Sequence, residues 1–171
     1  MGVTSTVIGA YAPTAVSKRD TVAEFYDELE ESLQAAQSLT DRIFILGDFN
    51  VDIGVDARNR YPNVVGPHGL SVSTSSNAEC FLGFCNKHGL LAANSYFPHK
   101  PDQQITWIHP KTLRGTTKDW LMCSGKLKVH VIDIRVLEPP SKTAEHGLLC
   151  VTLMKVGTNE LTRILNPTKK Q

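Results

Sequence analysis

Residues 42–47, Arg-Ile-Phe-Ile-Leu-Gly, form a short apolar run bounded by polar residues, and this run constrains the fold more than any other feature. Apolar side chains at consecutive positions put hydrophobic surface on both faces of a strand, so the strand must be covered on both sides. The run delivers Asp48-Phe49-Asn50 at its C-terminal end. Residues i and i+2 of a strand project to the same side, which brings the Asp48 and Asn50 side chains together. A carboxylate accepts protons or metal, and an amide both donates and accepts hydrogen bonds. Together they can orient a water for in-line attack on phosphorus, although Gly-Asp and Asn also build turns.

The segments around this strand read as follows. Residues 3–12 predict a strand, stopped by Pro13. Residues 21–38 predict a helix, opened by a Thr21/Glu24 capping box, with Val22, Phe25, Tyr26, Leu29, Leu33 and Ala36 along one face. Residues 54–75 are rich in Gly, Pro, Asn and Ser, lack periodicity and read as a long surface loop. Ser76 and Glu79 suggest a second capping box for a helix ending near His88, with Ala78, Phe81, Leu82, Cys85 and His88 on its buried side and Gly89 as its C-cap. Strands then follow at 90–95, 104–108, 117–123, 128–137 and 147–156. In 128–137, Val129, Val131, Asp133 and Arg135 alternate with His130, Ile132, Ile134 and Val136, giving two distinct faces. The expected organisation is one α/β domain over 1–156, β-α-β first and mostly antiparallel after, with a polar, basic tail at 157–171 that frays.

Composition bounds the function classes. A chain of 171 residues with 41% hydrophobic and 20% charged residues can build one core and is not of disordered type. A net charge of +1 decides nothing about nucleic acid, since a nuclease needs only a local basic face. The apolar runs fall short of a membrane span, and the N-terminus lacks the basic start of a signal peptide, so an intracellular location, nuclear or cytoplasmic, is expected. The four cysteines include no C-x-x-C pair, which predicts free, buried thiols rather than a zinc site or a disulfide framework.

Three more islands carry chemistry. Tyr11-Ala12-Pro13-Thr14 places a phenol at the end of the first strand, either as a donor to a phosphate oxygen or as a core aromatic before a turn. Thr106-Trp107 is followed by Asp119-Trp120. Glu145-His146 precedes the last strand; its imidazole suits a general base whose tautomer Asp119 fixes from across the sheet, while a solvated turn is the alternative.

Taken in order, Tyr-x-Pro, Gly-Asp-x-Asn, Thr-Trp, Asp-Trp and an acid-His pair resemble the endonuclease/exonuclease/phosphatase superfamily. The finer text YAPT, ILGDFN, GPHGL, FCNKHGL, NSYFPHK, ITWIHP and DIRV is similar to the endonuclease of LINE-type, non-LTR retrotransposons. The resemblance implies a partial, DNase-I-like four-layer α/β sandwich, two β-sheets flanked by helices. It implies a Mg²⁺- or Mn²⁺-dependent phosphodiesterase that engages the DNA backbone and no membrane. Asp48 and Asn50 would orient water and phosphate, and His146 would act as base or transition-state stabiliser, oriented by Asp119. Tyr11 would assist the phosphoryl oxygens or leaving group with Thr14 beside it, and Trp107 would pack under the site. Glu145 is the candidate metal carboxylate.

The chain also departs from the pattern. In the family, two earlier strands bring an Asn and a metal-binding Glu, whereas residues 1–10 contain no Glu, Asp or Asn. That predicts weak or absent nicking, and an uncovered sheet edge through which the chain self-associates. Gly9 stands where Asn is usual, Glu145 where Asp is usual, and Lys118 where the family has an apolar residue. The competing expectations are an inactive fragment acting as a binding protein, or a phosphatase- or sphingomyelinase-like phosphoesterase.

Overall fold

The computed structural model describes residues 4–69, 71–138 and 144–154, and the backbone of 161–165. The chain runs β1 (Thr6–Tyr11), α1 (Arg19–Gln37), β2 (Ile43–Asp48), α2 (Val55–Arg60), α3 (Ala78–His88), β3 (Leu90–Ala92), β4 (Trp107–Ile108), β5 (Gly115–Thr116), β6 (Asp119–Ser124), α4 (Gly125–Lys128), β7 (Val131–Glu138), β8 (Leu148–Met154) and β9 (Leu161–Leu165). One sheet has the order β1-β2-β6-β3, a second β7-β8-β9, and β4 pairs with β5 as a short hairpin. β1 and β2 are parallel across the α1 crossover, and β2 and β3 are antiparallel to β6.

β2 is central and buried at every position. Its period of two sorts the side chains into two cores. Ile43 and Ile45 join Val22, Leu29 and Leu33 of α1 and Phe81 and Leu82 of α3. Phe44 and Leu46 face the second sheet, against Ile134 and Val136 of β7 and Leu149 and Val151 of β8. β6 repeats the pattern, with Trp120 and Met122 toward the helices and Leu121 and Cys123 between the sheets. Each such burial is worth roughly 1.5–3 kcal/mol, which is why an uninterrupted apolar strand requires both covers. No helix among the described residues is long and apolar enough to cross a membrane.

Several local expectations change. α1 begins at Arg19 and α3 at Ala78, and neither has a side-chain cap. The Ser76/Glu79 box does not form because the Glu79 carboxylate accepts from Arg60 and from the Tyr61 hydroxyl instead. The 54–75 loop contains α2, which Arg60 ties to α3 through Glu79, while Asp56 accepts from the Thr74 N–H at 3.0 Å. Gly89 caps α3 in the left-handed region at φ 63°, as expected.

The strand read at 90–95 stops at Ala92 and turns into a 3-10 helix, Ala93–Tyr96. That read at 104–108 shortens to β4, and that read at 128–137 starts only at Val131, because Lys128 belongs to the short helix α4. A register shift between Val131 and Asp133 breaks the simple alternation of β7. It puts Val131 in the same core as Ile134 and Val136, as one extra residue in a strand must. Of the segment read as a fraying tail, Leu161–Leu165 is a strand paired with β8, where the open edge offers it a ladder of backbone bonds. The remaining tail residues, and residue 3 of the first strand, lie outside the described residues.

The cysteines are free: Cys80 is exposed, and Cys85, Cys123 and Cys150 are buried. Burial pushes the Cys85 thiol up, and that of Cys123 up to about 12. A thiol-reactive dye should therefore modify Cys80 alone in the native chain, and the other three only in denaturant. Rapid labelling of a second thiol under native conditions would show that the packing around these residues opens.

Candidate active site

The site forms where β2 and β6 end at the mouth between the two sheets. Asp48 and Asp119 are register partners. By alternation both share the inter-sheet face with Phe44, Leu46, Leu121 and Cys123. Both are buried, at 6% and 4% exposure. Like charges directly opposite one another oppose strand pairing, so this placement asks for a cationic or hydrogen-bonding partner.

His146 is that partner. Its Nδ1 lies 3.0 Å from Asp119 Oδ2 and its Nε2 lies 3.7 Å from Asp48 Oδ2. The backbone around it is pinned to the hairpin strand: Trp107 and His146 form an antiparallel bridge, Ile108 N–H donates to the Glu145 carbonyl, and Gly147 N–H donates to the Thr106 carbonyl. A histidine just outside β8 is thus carried across to carboxylates that belong to the other sheet.

The Asp48-Phe49-Asn50 turn is equally constrained. Asp48 Oδ1 accepts the Asn50 N–H at 2.9 Å. Asn50 adopts φ 53°, a left-handed conformation that Asn tolerates better than most residues. Its Nδ2 donates to the Ala12 carbonyl at 2.9 Å, so one donor of the amide serves to bind the turn to the end of β1. Tyr11 is the β1 register partner of Asp48, projects to the same side and is 59% exposed. Thr14 is exposed in the following turn, its hydroxyl 3.5 Å from that of Ser17. Trp107 is half-buried beneath Lys118.

Glu145 is exposed, and the contact it makes here is through its carbonyl. Among the described residues no group of three or more His, Cys, Asp or Glu is arranged to hold a metal ion. One oxygen of Asp48 is engaged by the Asn50 N–H and the other faces His146. The described donors therefore do not fit a Mg²⁺ coordination shell, which needs one or two carboxylates directed at the ion.

Lys118 is the unexpected charge beside Asp119, and it is 13% exposed. Rather than reaching water it meets Asp52 Oδ2 at 2.8 Å, with its ammonium 5.7 Å from the Trp107 ring centroid. The pairing removes the penalty that an isolated buried ammonium would carry.

Two further residues hold the site. Thr106 is fully buried, and its hydroxyl oxygen accepts both the Lys118 N–H at 2.8 Å and the Asp119 N–H at 3.0 Å. Asn94 donates to the Asp119 carbonyl and accepts the Leu121 N–H, continuing the ladder of β6 where β3 has ended. The signal for Asn94 was an amide inside a segment otherwise read as an apolar strand. Thr106→Val should leave two buried N–H groups without an acceptor and cost roughly 1–3 kcal/mol. Urea unfolding measures this, and an unchanged midpoint would remove Thr106 from the set of residues that position Asp119.

Comparison with known proteins bears on the fold. No family model matches the chain. Craniofacial development protein 2 of Tragulus javanicus is 26% identical over 144 residues, 84% of this chain and 24% of that protein, and the Bos taurus protein matches to the same extent. The solved 3′-5′ exonuclease NExo from Neisseria meningitidis superposes with a TM-score of 0.56 at 18% identity, over 84% of this chain and 59% of that one. The 3′ phosphatase NExo from Neisseria bound to a product DNA hairpin gives 0.58 at 16% identity, over 86% and 60%. The chain shares the fold of these solved exonuclease and phosphatase chains. It spans about a quarter of the curated relatives and about three-fifths of the solved chains. In this fold the parallel β1–β2 pair and antiparallel β6 present their ends at one mouth, and Asp48, Asp119, His146 and Tyr11 gather there from most of the sequence's length.

Proposed function

We propose that this domain hydrolyses phosphodiesters in DNA, cutting within a strand as a LINE-type endonuclease does. The observation that carries the reading is the His146 imidazole held between two buried carboxylates of the opposite sheet. Asp119 keeps the Nδ1 proton on its side and so directs Nε2 toward Asp48 and the mouth. Asp48 accepts a hydrogen of the attacking water, whose oxygen bonds to phosphorus as the bond to the leaving oxygen breaks. His146 takes that hydrogen from Asp48 on Nε2, 3.7 Å away, and delivers it to the departing oxygen. The Asn50 side-chain amide and the Tyr11 phenol supply polar contacts to the phosphate.

Divalent metal, implied by the resemblance, would neutralise charge on the transferring phosphoryl group. Because the described carboxylates do not complete a shell for it, turnover by this chain is slow. Supplying a further carboxylate, by fusing the N-terminal strands of a LINE-type endonuclease, should raise the rate. The domain acts inside the cell, on nuclear or cytoplasmic DNA.

The test uses wild type and Asp48→Asn with supercoiled plasmid and with a 3′-phosphorylated oligonucleotide, each in Mg²⁺ and in Mn²⁺. Nicked circles should form with the wild type and fall by roughly 10²-fold or more with Asp48→Asn. Release of the 3′ phosphate without nicking would move the reading to a phosphomonoesterase. No product from either substrate, with or without the fused strands, would end the catalytic reading.

A further inference from the structure

The hairpin of β4 and β5 adjoins the site and is closed by a side chain that the proposed chemistry does not use. Two register pairs join its strands, Trp107 with Thr116 and Ile108 with Gly115. His109 holds the turn between them. Its N–H donates to the Arg114 carbonyl at 2.9 Å, and its carbonyl accepts the Leu113 N–H at 2.8 Å. Its ring Nδ1 accepts two further backbone N–H groups, from Lys111 at 3.1 Å and from Thr112 at 3.2 Å. The ring stands edge-on to Trp107, with centroids 5.5 Å apart.

Two donors converge on Nδ1, so that nitrogen keeps its lone pair and the ring proton sits on Nε2. A second ring proton must go to Nδ1, where it would face both N–H groups. The turn would lose two acceptor bonds at once, and the surrounding charges offer little in return. Lys111 and Arg114, in the same turn, are cationic and exposed. β5 contributes the uncharged Gly115 and Thr116. Lys118, near the Trp107 ring, is cationic and already paired with Asp52. The segment bonded to β4 brings His146 and Glu145, whose contact with β4 is made through its carbonyl. Leu113 also works against closure. It sits at φ 56°, a left-handed conformation that a bulky residue rarely adopts, and it is 62% exposed, so burial does not offset the strain.

We propose that His109 is a pH-sensitive latch on this hairpin, closed while the imidazole is neutral and open once Nδ1 takes a proton. Closure is present at higher pH and is lost as the pH falls through the range, about 5 to 8, in which imidazoles change charge. The latch reaches the site through the backbone. Trp107 bridges His146, and the Ile108 N–H donates to the Glu145 carbonyl. Opening the turn loosens the hairpin that supports His146. The latch depends on the turn alone and holds whether or not the site hydrolyses DNA.

The experiment is NMR on the isotope-labelled full chain. At about pH 8, long-range nitrogen–proton spectra should place the His109 ring proton on Nε2. On acidification to about pH 5, the Lys111 and Thr112 amides should lose their hydrogen-bonded shifts. His109→Asn substitutes an amide oxygen that accepts from the same N–H groups and does not titrate, so the turn should stay closed throughout. His109→Ala should show the open-turn shifts at every pH. Leu113→Gly relieves the left-handed residue and should move the transition to lower pH. The chain has six histidines, and the Asn variant identifies the one responsible. A ring proton on Nδ1 at about pH 8 overturns the proposal, as does an amide transition that survives in His109→Asn. Closed-turn shifts in His109→Ala overturn it as well. If the alanine variant fails to fold, the Asn and Leu113→Gly variants decide the matter.

Discussion

Replacing His146 with alanine should lower plasmid nicking by roughly 10²–10⁴-fold, the usual contribution of a positioned proton-transfer group. The imidazole lies in contact range of both Asp119 and Asp48, at 3.0 and 3.7 Å. Removing it takes away the proton carrier and leaves two buried carboxylates opposed in register. The second consequence affects stability, so a companion variant separates the two. His146→Asn keeps an N–H able to donate to Asp119 but cannot shuttle a proton. It should fold close to wild type and remain as inactive as alanine. Rates are compared in the chain itself and in the form carrying the fused N-terminal strands, where turnover is expected to be faster. An alanine variant that retains half the wild-type rate in either form would remove His146 from the chemistry.

Gly47→Ala should have the largest effect on stability of any one-methyl change in the site region. A Cβ at Gly47 would lie 1.8 Å from the Ala10 carbonyl oxygen and 2.6 Å from its carbon. Both atoms belong to backbone, in the β1 strand paired with Gly47, so no side chain can swing aside. Either β1 separates from β2 or the turn at Asp48 distorts, and the cost is roughly 3 kcal/mol or more. For a chain of this size that lowers the melting temperature by about 6–12 °C. Gly9→Ala is the matched control. No atom lies within 4 Å of a Cβ there, and removing a glycine restricts the unfolded chain, so stability should hold or rise by about 0.4–1 kcal/mol. Calorimetry on both variants decides the matter. A Gly47→Ala protein that melts with the wild type would mean that the β1–β2 pairing is looser than the close approach implies.

The same comparison explains the unusual Gly9. It shares the exposed face of β1 with Val7 and Tyr11, so no packing demands a side chain. Glycine there reflects an uncovered strand rather than a turn or a close approach.

What the sequence determined by itself was the core and its direction. The apolar run through β2 required cover on both faces, and the alternation of Ile43 and Ile45 with Phe44 and Leu46 assigns each cover to its layer. The helical faces of α1 and α3, the Gly89 cap and the free thiols follow from periodicity and residue type, which act over a few neighbouring positions. Asp48 was legible for the same reason, as the last residue of the strand, whereas Asn50 lies just beyond it in a left-handed turn that alternation does not describe. The helix starts were not, because Glu79 had a better partner in Arg60 than its own helix could offer. Nor was the face of Val131, which a single bulge reverses. The pairing of His146 with Asp119 needed the tertiary structure most. The residues lie 27 positions apart, Asp119 in β6 and His146 just outside β8, and their distance is set by the bridge from Trp107 and the hydroxyl of Thr106. Lys118 shows the limit clearly: the sequence marks it as a charge in a strand, and only the fold supplies Asp52 to neutralise it. Local pattern decides which face a side chain takes, whereas long-range packing decides what it meets there.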